Sequence, residues 1–370
     1  MRSLVTGLII GLVIGMILAF TEDPGGKVEL NISPLTNQKT LSWTKQEWKV
    51  ASLFPVNQFP LGQTTSKLII NLNRLMGGEL SLKYHKTNNL SKSAKIFDLV
   101  SSGKLDAAFG SPSLWGKRSI GFRLLDAMPF GPGLEEFITW RNTNKVKRMA
   151  KKLYHRFGVH GIICGTTGPT IGGLFKRPVQ NISELRDKKI GARGFSAKIL
   201  SRAGATSVII SPSKALNLYS SGNLFGTLIG EPYNSKGQIK EKLFGIAYFP
   251  AWQRKFRILE LLINLKKWDK LEPKTKKMME LACSANISKS FAHNENRQFV
   301  ELKSLIYQGL KIRRWNPHLT KQLKAIWLQE TLKLMESEPE FKIFYTTYLD
   351  FKKDYSIWQE LGYTDFKRGF

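Results

Sequence analysis

At 370 residues, with 42% apolar and 23% charged content, the chain has room for two domains or one large α/β unit, and its composition excludes a disordered protein. Lys and Arg number 57 against 28 Asp and Glu, a formal net charge of +29. These cations are scattered along amphipathic helices with no zinc finger, RNA-binding aromatic signature or basic arm, so nucleic acid is not an expected partner.

In chain order, Arg2 precedes a continuous apolar run from Leu4 to Phe20 that closes on Thr21, Glu22, Asp23, Pro24 and two glycines. Such a run is a membrane-targeting segment and takes the chain out of the cytoplasm. Residues 1–26 are read as a signal peptide or as an uncleaved N-terminal membrane anchor. Ile17-Leu18-Ala19 is a weak cleavage pattern, and Gly7, Gly11 and Gly15 share one helix face that another transmembrane helix can approach closely. Residues 27–45 form a linker.

Residues 48–55, WKVASLFP, read as a short buried strand. From Thr64 to Met76, leucines 68, 72 and 75 recur at helical spacing and stop at Gly77-Gly78, the residue type expected beyond a helix C-terminus. ELSLKYH alternates as a half-buried strand, a further helix breaks at Gly103, and AAFGS is a small-residue strand. The alternation of strand and helix predicts a mainly parallel sheet covered by helices. Between Asn144 and Phe157, Val146, Met149, Ala150, Leu153, Tyr154 and Phe157 build one apolar helix face opposite a solvated cationic one.

From Gly161 to Ser235 the alternation repeats on a smaller scale, with strands near 161–164, 174–176, 190–193 and 208–210, as expected of a second lobe. Cys164 and Cys283 are the two cysteines. They form no C-x-x-C and no histidines cluster, so neither a metal site nor a disulfide framework is expected, and at most a single bridge remains. Beyond Pro273 the chain reads as almost wholly helical, and its tail carries Phe341, Phe344, Tyr345, Tyr348, Phe351, Tyr355 and Trp358. So aromatic a tail needs a partner surface.

The segments WKVASLFPVNQFPLG, IFDLVSSGKLDAAFGSPSLWG, AMPFG, GTTGPTIGGLFKRPVQNISELRDKKIGARG, SRAGATSV, GEPYN, YFPAW and LELLINLKKWDKLEP occur in this order. Over about residues 46–362 the chain resembles a TRAP-type extracytoplasmic solute receptor of the DctP superfamily, and most of all its keto-acid-binding branch. The resemblance implies a two-lobed α/β fold of the periplasmic-binding-protein kind, with mixed sheets flanked by helices and a helical C-terminal region. Its implied divisions are lobe I over 46–165 with parts of 255–315, lobe II over 166–254, and C-terminal helices over 316–370.

The implied function is binding of a small organic acid, a 2-keto acid or related carboxylate, in the interlobe cleft of a periplasmic receptor that delivers it to TRAP permease subunits. Some relatives also dimerise through the C-terminal helix. Catalysis is not expected, because no nucleophile elbow, phosphate loop or paired acid and base appears. The alternative is a membrane-anchored module of the same fold whose diverged pocket serves sensing or protein interaction.

The resemblance implies a carboxylate-clamping arginine just after Lys189 and Ile190, but that position holds Gly191. Arg193 stands two residues on, before Gly194, and positions i and i+2 of an extended strand face the same side. Its planar guanidinium suits bidentate carboxylate binding. Arg193 is therefore either a relocated ligand clamp or a structural or surface arginine. Thr166, Thr167 and Thr170 are expected to line the cleft or to serve turn chemistry, and Trp115, Tyr233 and Trp252 to line it or to sit in the core. The family's cation-binding positions become Thr170 and Leu228-Ile229, which makes a sodium site doubtful and no cofactor expected. Glu231 lies nearby, as a compensating carboxylate or an exposed one.

Overall fold

The computed structural model describes residues 46–56, 59–85, 93–126, 128–228 and 245–362. The N-terminal segment, its linker, Glu231 and Tyr233 lie outside these. Among the described residues no helix is long and apolar enough to cross a membrane.

Strand β1 (Gln46–Ser52) buries Trp48 and Val50 on one side and is followed by helix α1 (Leu61–Leu75), which begins just after Pro60. Gly77 and Gly78, at φ +53° and +92°, turn the chain out of that helix in a backbone region that glycine enters without a Cβ clash. The chain continues through β2 (Leu80–Tyr84), α2 (Ser93–Ser101), β3 (Ala107–Gly110), a 3-10 turn at Pro112–Trp115, α3 (Gly121–Leu124) and α4 (Leu134–Asn142). In α5 (Asn144–Arg156) the apolar stripe faces inward as its spacing requires, with Val146, Ala150, Leu153 and Tyr154 buried. The Thr143 hydroxyl accepts from the Val146 amide and caps this helix.

Next come β4 (Val159–Thr166), β5 (Gly173–Phe175), β6 (Lys189–Gly191), α6 (Gly194–Arg202), β7 (Thr206–Val208), α7 (Pro212–Ser220) and β8 (Gly226–Thr227). They are followed by β9 (Ile246–Phe249), β10 (Ile258–Asn264), α8 (Leu265–Asp269), α9 (Pro273–Tyr307), β11 (Lys311–Arg314), α10 (Pro317–Ser337) and α11 (Pro339–Gly362). Strand β11 lies within the region that reads as helical, because its four exposed residues carry no burial pattern.

Two sheets form, one in each lobe. The first has five strands in the order β2-β1-β3-β10-β4 and the second six in the order β11-β9-β5-β8-β6-β7. Both are mixed: the first has two parallel and two antiparallel pairs, with β10 antiparallel to both β3 and β4, and the second has three parallel and two antiparallel, with β5 antiparallel to both β8 and β9. The antiparallel partners come from chain that crosses between sheets, and a local strand–helix alternation does not reveal where a crossing segment will pair.

Two crossings run side by side, 167–172 outward and 250–257 back. The Thr167 amide donates to the Arg257 carbonyl at 2.9 Å and the Thr170 amide to the Lys255 carbonyl at 3.2 Å. Helix α9 backs this pair of crossings: the Thr166 amide donates to the Ser290 hydroxyl at 3.0 Å, and the Asn294 and Asn286 amides donate to the Thr166 and Cys164 carbonyls at 2.8 and 2.7 Å.

The single-bridge possibility is the arrangement found, against the expectation of no disulfide. Cys164 of β4 and Cys283 of α9 are bonded across a sequence separation of 119. No local spacing announces a pair made by packing a late helix on an early strand.

The C-terminal aromatics are largely core. Phe341, Phe344, Tyr345 and Tyr348 are buried, with Tyr348 donating to Glu136 of α4 at 2.9 Å. Trp327 of α10 and Phe341 of α11 both pack on Phe195 of α6, at ring distances of 5.0 and 6.0 Å. Ile357, Trp358 and Leu361, at the far end of α11, remain exposed.

Candidate functional site

Arg193 stands between the end of β6 and the start of α6. The strand ends at Gly191, and Arg193 is the extended N-cap residue, φ −145° and ψ 158°, rather than a strand residue. Gly194 follows at φ +57° with open space around it, so conformation and not crowding favours glycine there. Gly191 is needed for a different reason: a Cβ would lie 2.9 Å from the Thr227 hydroxyl of neighbouring β8. The outer edge of a sheet where strands give way to helices is where ligands collect in open α/β folds.

Arg193 faces a cavity of about 310 Å³ between the two sheets. Lobe I contributes Ser111, Ser113, Lys117, Arg123 and Asp126, the return crossing contributes Gln253, Arg254 and Arg257, and lobe II adds Phe195 and Leu228 beside Arg193. Asp126 is fully buried. Its Oδ2 accepts from the Ser111 hydroxyl at 2.8 Å and from the Ser113 hydroxyl, and its Oδ1 accepts from the Ile258 amide at 3.0 Å. That carboxylate fixes the lobe I wall to the start of β10.

Burial and then the neighbouring Arg257 guanidinium both disfavour the charged form of Arg193 and lower its pKa. Burial also lowers that of Arg123, with Glu338 opposing the shift. Arg123 is held in place from two sides. Its guanidinium carbon lies 5.4 Å from the Phe195 ring centroid of the opposite lobe, and a Cβ on Gly116 would meet its Cγ at 2.5 Å.

Of the other expected site residues, the described ones, Thr166, Thr167, Thr170, Trp115 and Trp252, lie behind the cavity surface. The Thr166 hydroxyl donates to the Thr167 and Arg257 carbonyls, both at 3.0 Å, and the Thr170 hydroxyl donates to the Arg254 carbonyl at 2.9 Å. The Thr167 hydroxyl accepts from the Arg257 amide at 2.9 Å. These hydroxyls tie the crossings together, and through them set the backbone that carries Arg254 and Arg257.

Trp115 is 1% exposed and donates its indole N–H to Glu260. Trp252 is buried and stacks on Phe130 at 5.4 Å. Both are core aromatics in this arrangement. Leu228 does line the cavity, at a position where the resemblance implies a carboxylate. The Thr170 hydroxyl donates to a carbonyl, and Ile229 lies outside the described residues. Among the described residues no group of three or more His, Cys, Asp or Glu is placed to hold a metal ion.

Sequence reading missed Lys117, Arg123, Arg254, Arg257 and the serine pair. A usable signal was present in WQRKFR, residues 252–257, where three cations in four residues interrupt an apolar stretch. Arg123 gave none, because one arginine in GFRLL is indistinguishable from a surface residue.

The pattern of bacterial extracellular solute-binding proteins, family 7, matches residues 54–338. The chain is 20% identical over 325 residues to the monocarboxylate 2-oxoacid-binding periplasmic protein of Nostoc sp., covering 86% of this chain and 88% of that protein. Among solved structures it is similar to a TRAP periplasmic solute-binding protein of Pseudoalteromonas atlantica with bound sodium and pyruvate, at TM-score 0.78 and 18% identity, covering 88% of this chain and 99% of the other. It is likewise similar to a TRAP transporter solute-binding protein of Bordetella bronchiseptica with calcium and picolinate, at TM-score 0.77 and 18% identity, covering 86% and 95%. The two-lobed fold is that of these receptors, and the chain belongs to the bacterial extracellular solute-binding protein family 7.

Proposed function

We propose that this protein is an extracytoplasmic receptor that binds a small organic acid between its lobes, with Arg193 as the main anion clamp, and delivers it to TRAP permease subunits. The observation that carries this reading is the position of Arg193: at the end of a strand, on the lobe II wall of a cavity of about 310 Å³, opposite the Ser111 and Ser113 wall of lobe I. A guanidinium there offers two parallel donors to a carboxylate. The names of the relatives, which include binders of 2-oxoacids and pyruvate, support the choice of ligand class.

Closure of the lobes about the paired crossings at 167–172 and 250–257 supplies the mechanism. The site acts by binding and not by catalysis. The protein works in the periplasm, where residues 1–26 act as a signal or an anchor. Residues Ile357, Trp358 and Leu361 form the surface for a homodimer.

Calorimetric titration of the full chain with pyruvate, other 2-keto acids and C4-dicarboxylates tests the reading. An acid binds the unmodified protein, and Arg193→Ala weakens it by about tenfold to a hundredfold, as loss of a charge-assisted pair requires. Absence of binding by every acid overturns the receptor reading and favours a diverged module for sensing or protein interaction, for which the apolar Leu228 in the cleft is the supporting observation.

A further inference from the structure

The end of lobe I remote from the cleft carries a charge that solute binding does not use. Ser111 and Ser113, which line the cavity, follow the C-terminal end of β3, whereas α8 and the start of α9 follow the last residue of β10 at the opposite end of the sheet. Residues 265–277, LKKWDKLEPKTKK, hold six lysines against Asp269 and Glu272. Three of the lysines are matched: Lys267 pairs with Asp106 at 3.0 Å, Lys274 with Glu79 at 3.7 Å and Lys277 with Glu280 at 4.0 Å. Lys266 and Lys270 are exposed and have no ion-pair partner among the described residues, and the same holds for Lys104, just before β3, and for Lys151 and Lys152 of α5. Burial, then His155, Lys151 and Lys276, lowers the His160 pKa from 6.5 to about 3, so a lysine of α5 and one of α9 stand beside the same ring at the start of β4.

Against this excess stand the exposed carboxylates of Glu47, Asp269 and Glu272. The segments outside the described residues bring no compensation, since they too hold more Lys and Arg than Asp and Glu. The chain also enters lobe I at this end. The Gln46 amide donates to the Glu79 carbonyl at 3.0 Å, and Glu79 is the partner of Lys274, so β1 begins beside the start of α9. Ahead of Gln46 stand the apolar run from Leu4 to Phe20 and the linker over 27–45, which spans at most roughly 65 Å.

On the reading that residues 1–26 keep the chain at the membrane, we propose that this end of lobe I docks on the anionic phospholipid headgroups of the bilayer that holds the anchor. Tether and cations then act at the same place. A surface held within reach of the bilayer needs only weak attraction to lie on it. Each lysine near an anionic surface strengthens the contact about fivefold, and the attraction falls off within a Debye length, so docking is reversible and salt-sensitive. The cleft, at the far end of the same sheet, faces away from the lipid and stays open to solutes. Delivery to a permease in the same bilayer requires lobe I to leave the lipid, which the linker length permits.

The two native cysteines are bonded to each other, so a single introduced cysteine takes an environment-sensitive fluorophore alone. The full chain is reconstituted in vesicles of phosphatidylcholine, or of phosphatidylcholine with phosphatidylglycerol, labelled at Ser102→Cys beside Lys104 or at Ser221→Cys beyond α7 in lobe II. Both serines are exposed. The label at residue 102 brightens and shifts to the blue only with phosphatidylglycerol and loses the change in about 0.5 M salt, while the label at residue 221 stays unchanged. Lys266→Gln combined with Lys270→Gln, two exposed changes that leave the fold intact, weakens docking roughly twentyfold. Flotation with neutral vesicles reads the anchor separately. A chain that floats there while the label at residue 102 stays silent on both lipids overturns the docking and leaves the anchor intact. A chain that does not float overturns the anchor and the docking together, and neither result touches solute binding. An equal response at residue 221, or a response at residue 102 on neutral lipid, shows undirected adsorption and overturns the proposal.

Discussion

The two sheets are built on different terms. In the first, β1, β10 and β4 run seven, seven and eight residues, and all seven residues of β10 are buried. In the second, β5, β6 and β7 run three residues each and β8 only two. Long strands covered on both faces hold themselves together by ladder hydrogen bonds and apolar burial. Short strands have few of either, and side chains from the C-terminal helices reach lobe II as well as lobe I. Glu330 of α10 is fully buried and pairs with Lys198, at 2.6 Å, and Arg202 of α6, the helix that begins beside Arg193. The cleft thus joins a wall built on long strands to one built on short strands, and local opening belongs to the short-strand side.

The largest test of this contrast removes the link between β4 and α9. In the chain-entropy account, a bridge closing a loop of 119 residues contributes about 4–5 kcal/mol. The double variant Cys164→Ala with Cys283→Ala should lower the chemical-denaturation midpoint accordingly. Hydrogen exchange should show the loss in β4 and β10 more than in β6 and β7, and an equal loss in both sheets would contradict the contrast.

A second test uses pH. Glu260 of β10 is wholly buried, with Trp115 and Tyr154 donating to it, and burial raises its pKa from 4.5 to about 7. Between those values the folded protein keeps a proton that the unfolded chain has released. Stability from this group therefore falls as pH rises from about 4.5 to about 7 and is flat on either side, by about 3 kcal/mol in total. Glu260→Gln should flatten that slope in denaturation midpoints measured across the window. An unchanged slope would place the titration elsewhere.

The smallest effect is expected from Glu330→Gln. Its partners are half exposed and return to water when the carboxylate is lost, so the cost is about 1–2 kcal/mol, well below that of stranding a buried charge. The change should raise hydrogen exchange in α6 and β6 while leaving β1 and β3 untouched. Equal protection throughout would show that lobe II needs no brace.

Much of this arrangement is legible along the chain, and the line between what is and what is not follows distance in sequence. The stripe from Val146 to Tyr154, the glycine stop at 77–78 and the strand at 80–84 are local patterns, and each forms close to where its spacing puts it. Thr166, Thr167 and Thr170 show the limit. As residues they are competent to bind a carboxylate, yet their hydroxyls meet the backbone of residues 254 and 257, some ninety positions away, and serve the crossings instead. The same holds for Trp115, whose indole N–H finds Glu260 across 145 residues.

By itself the sequence determined the family, the alternation of strands and helices, the helical C-terminal region and the presence of an arginine where a strand gives way to a helix. These are properties of residue order and of periods of two and 3.6, which act within a few turns or strands. Tertiary structure alone decided that Cys164 meets Cys283, that β10 and β5 run antiparallel to their neighbours, and that the aromatic tail closes over α4 and α6. It also decided that Lys117, Arg123 and Arg193 share one cavity. Contacts of this kind are set by how packed layers bury their apolar faces, and no local pattern in the chain records which distant residue will arrive.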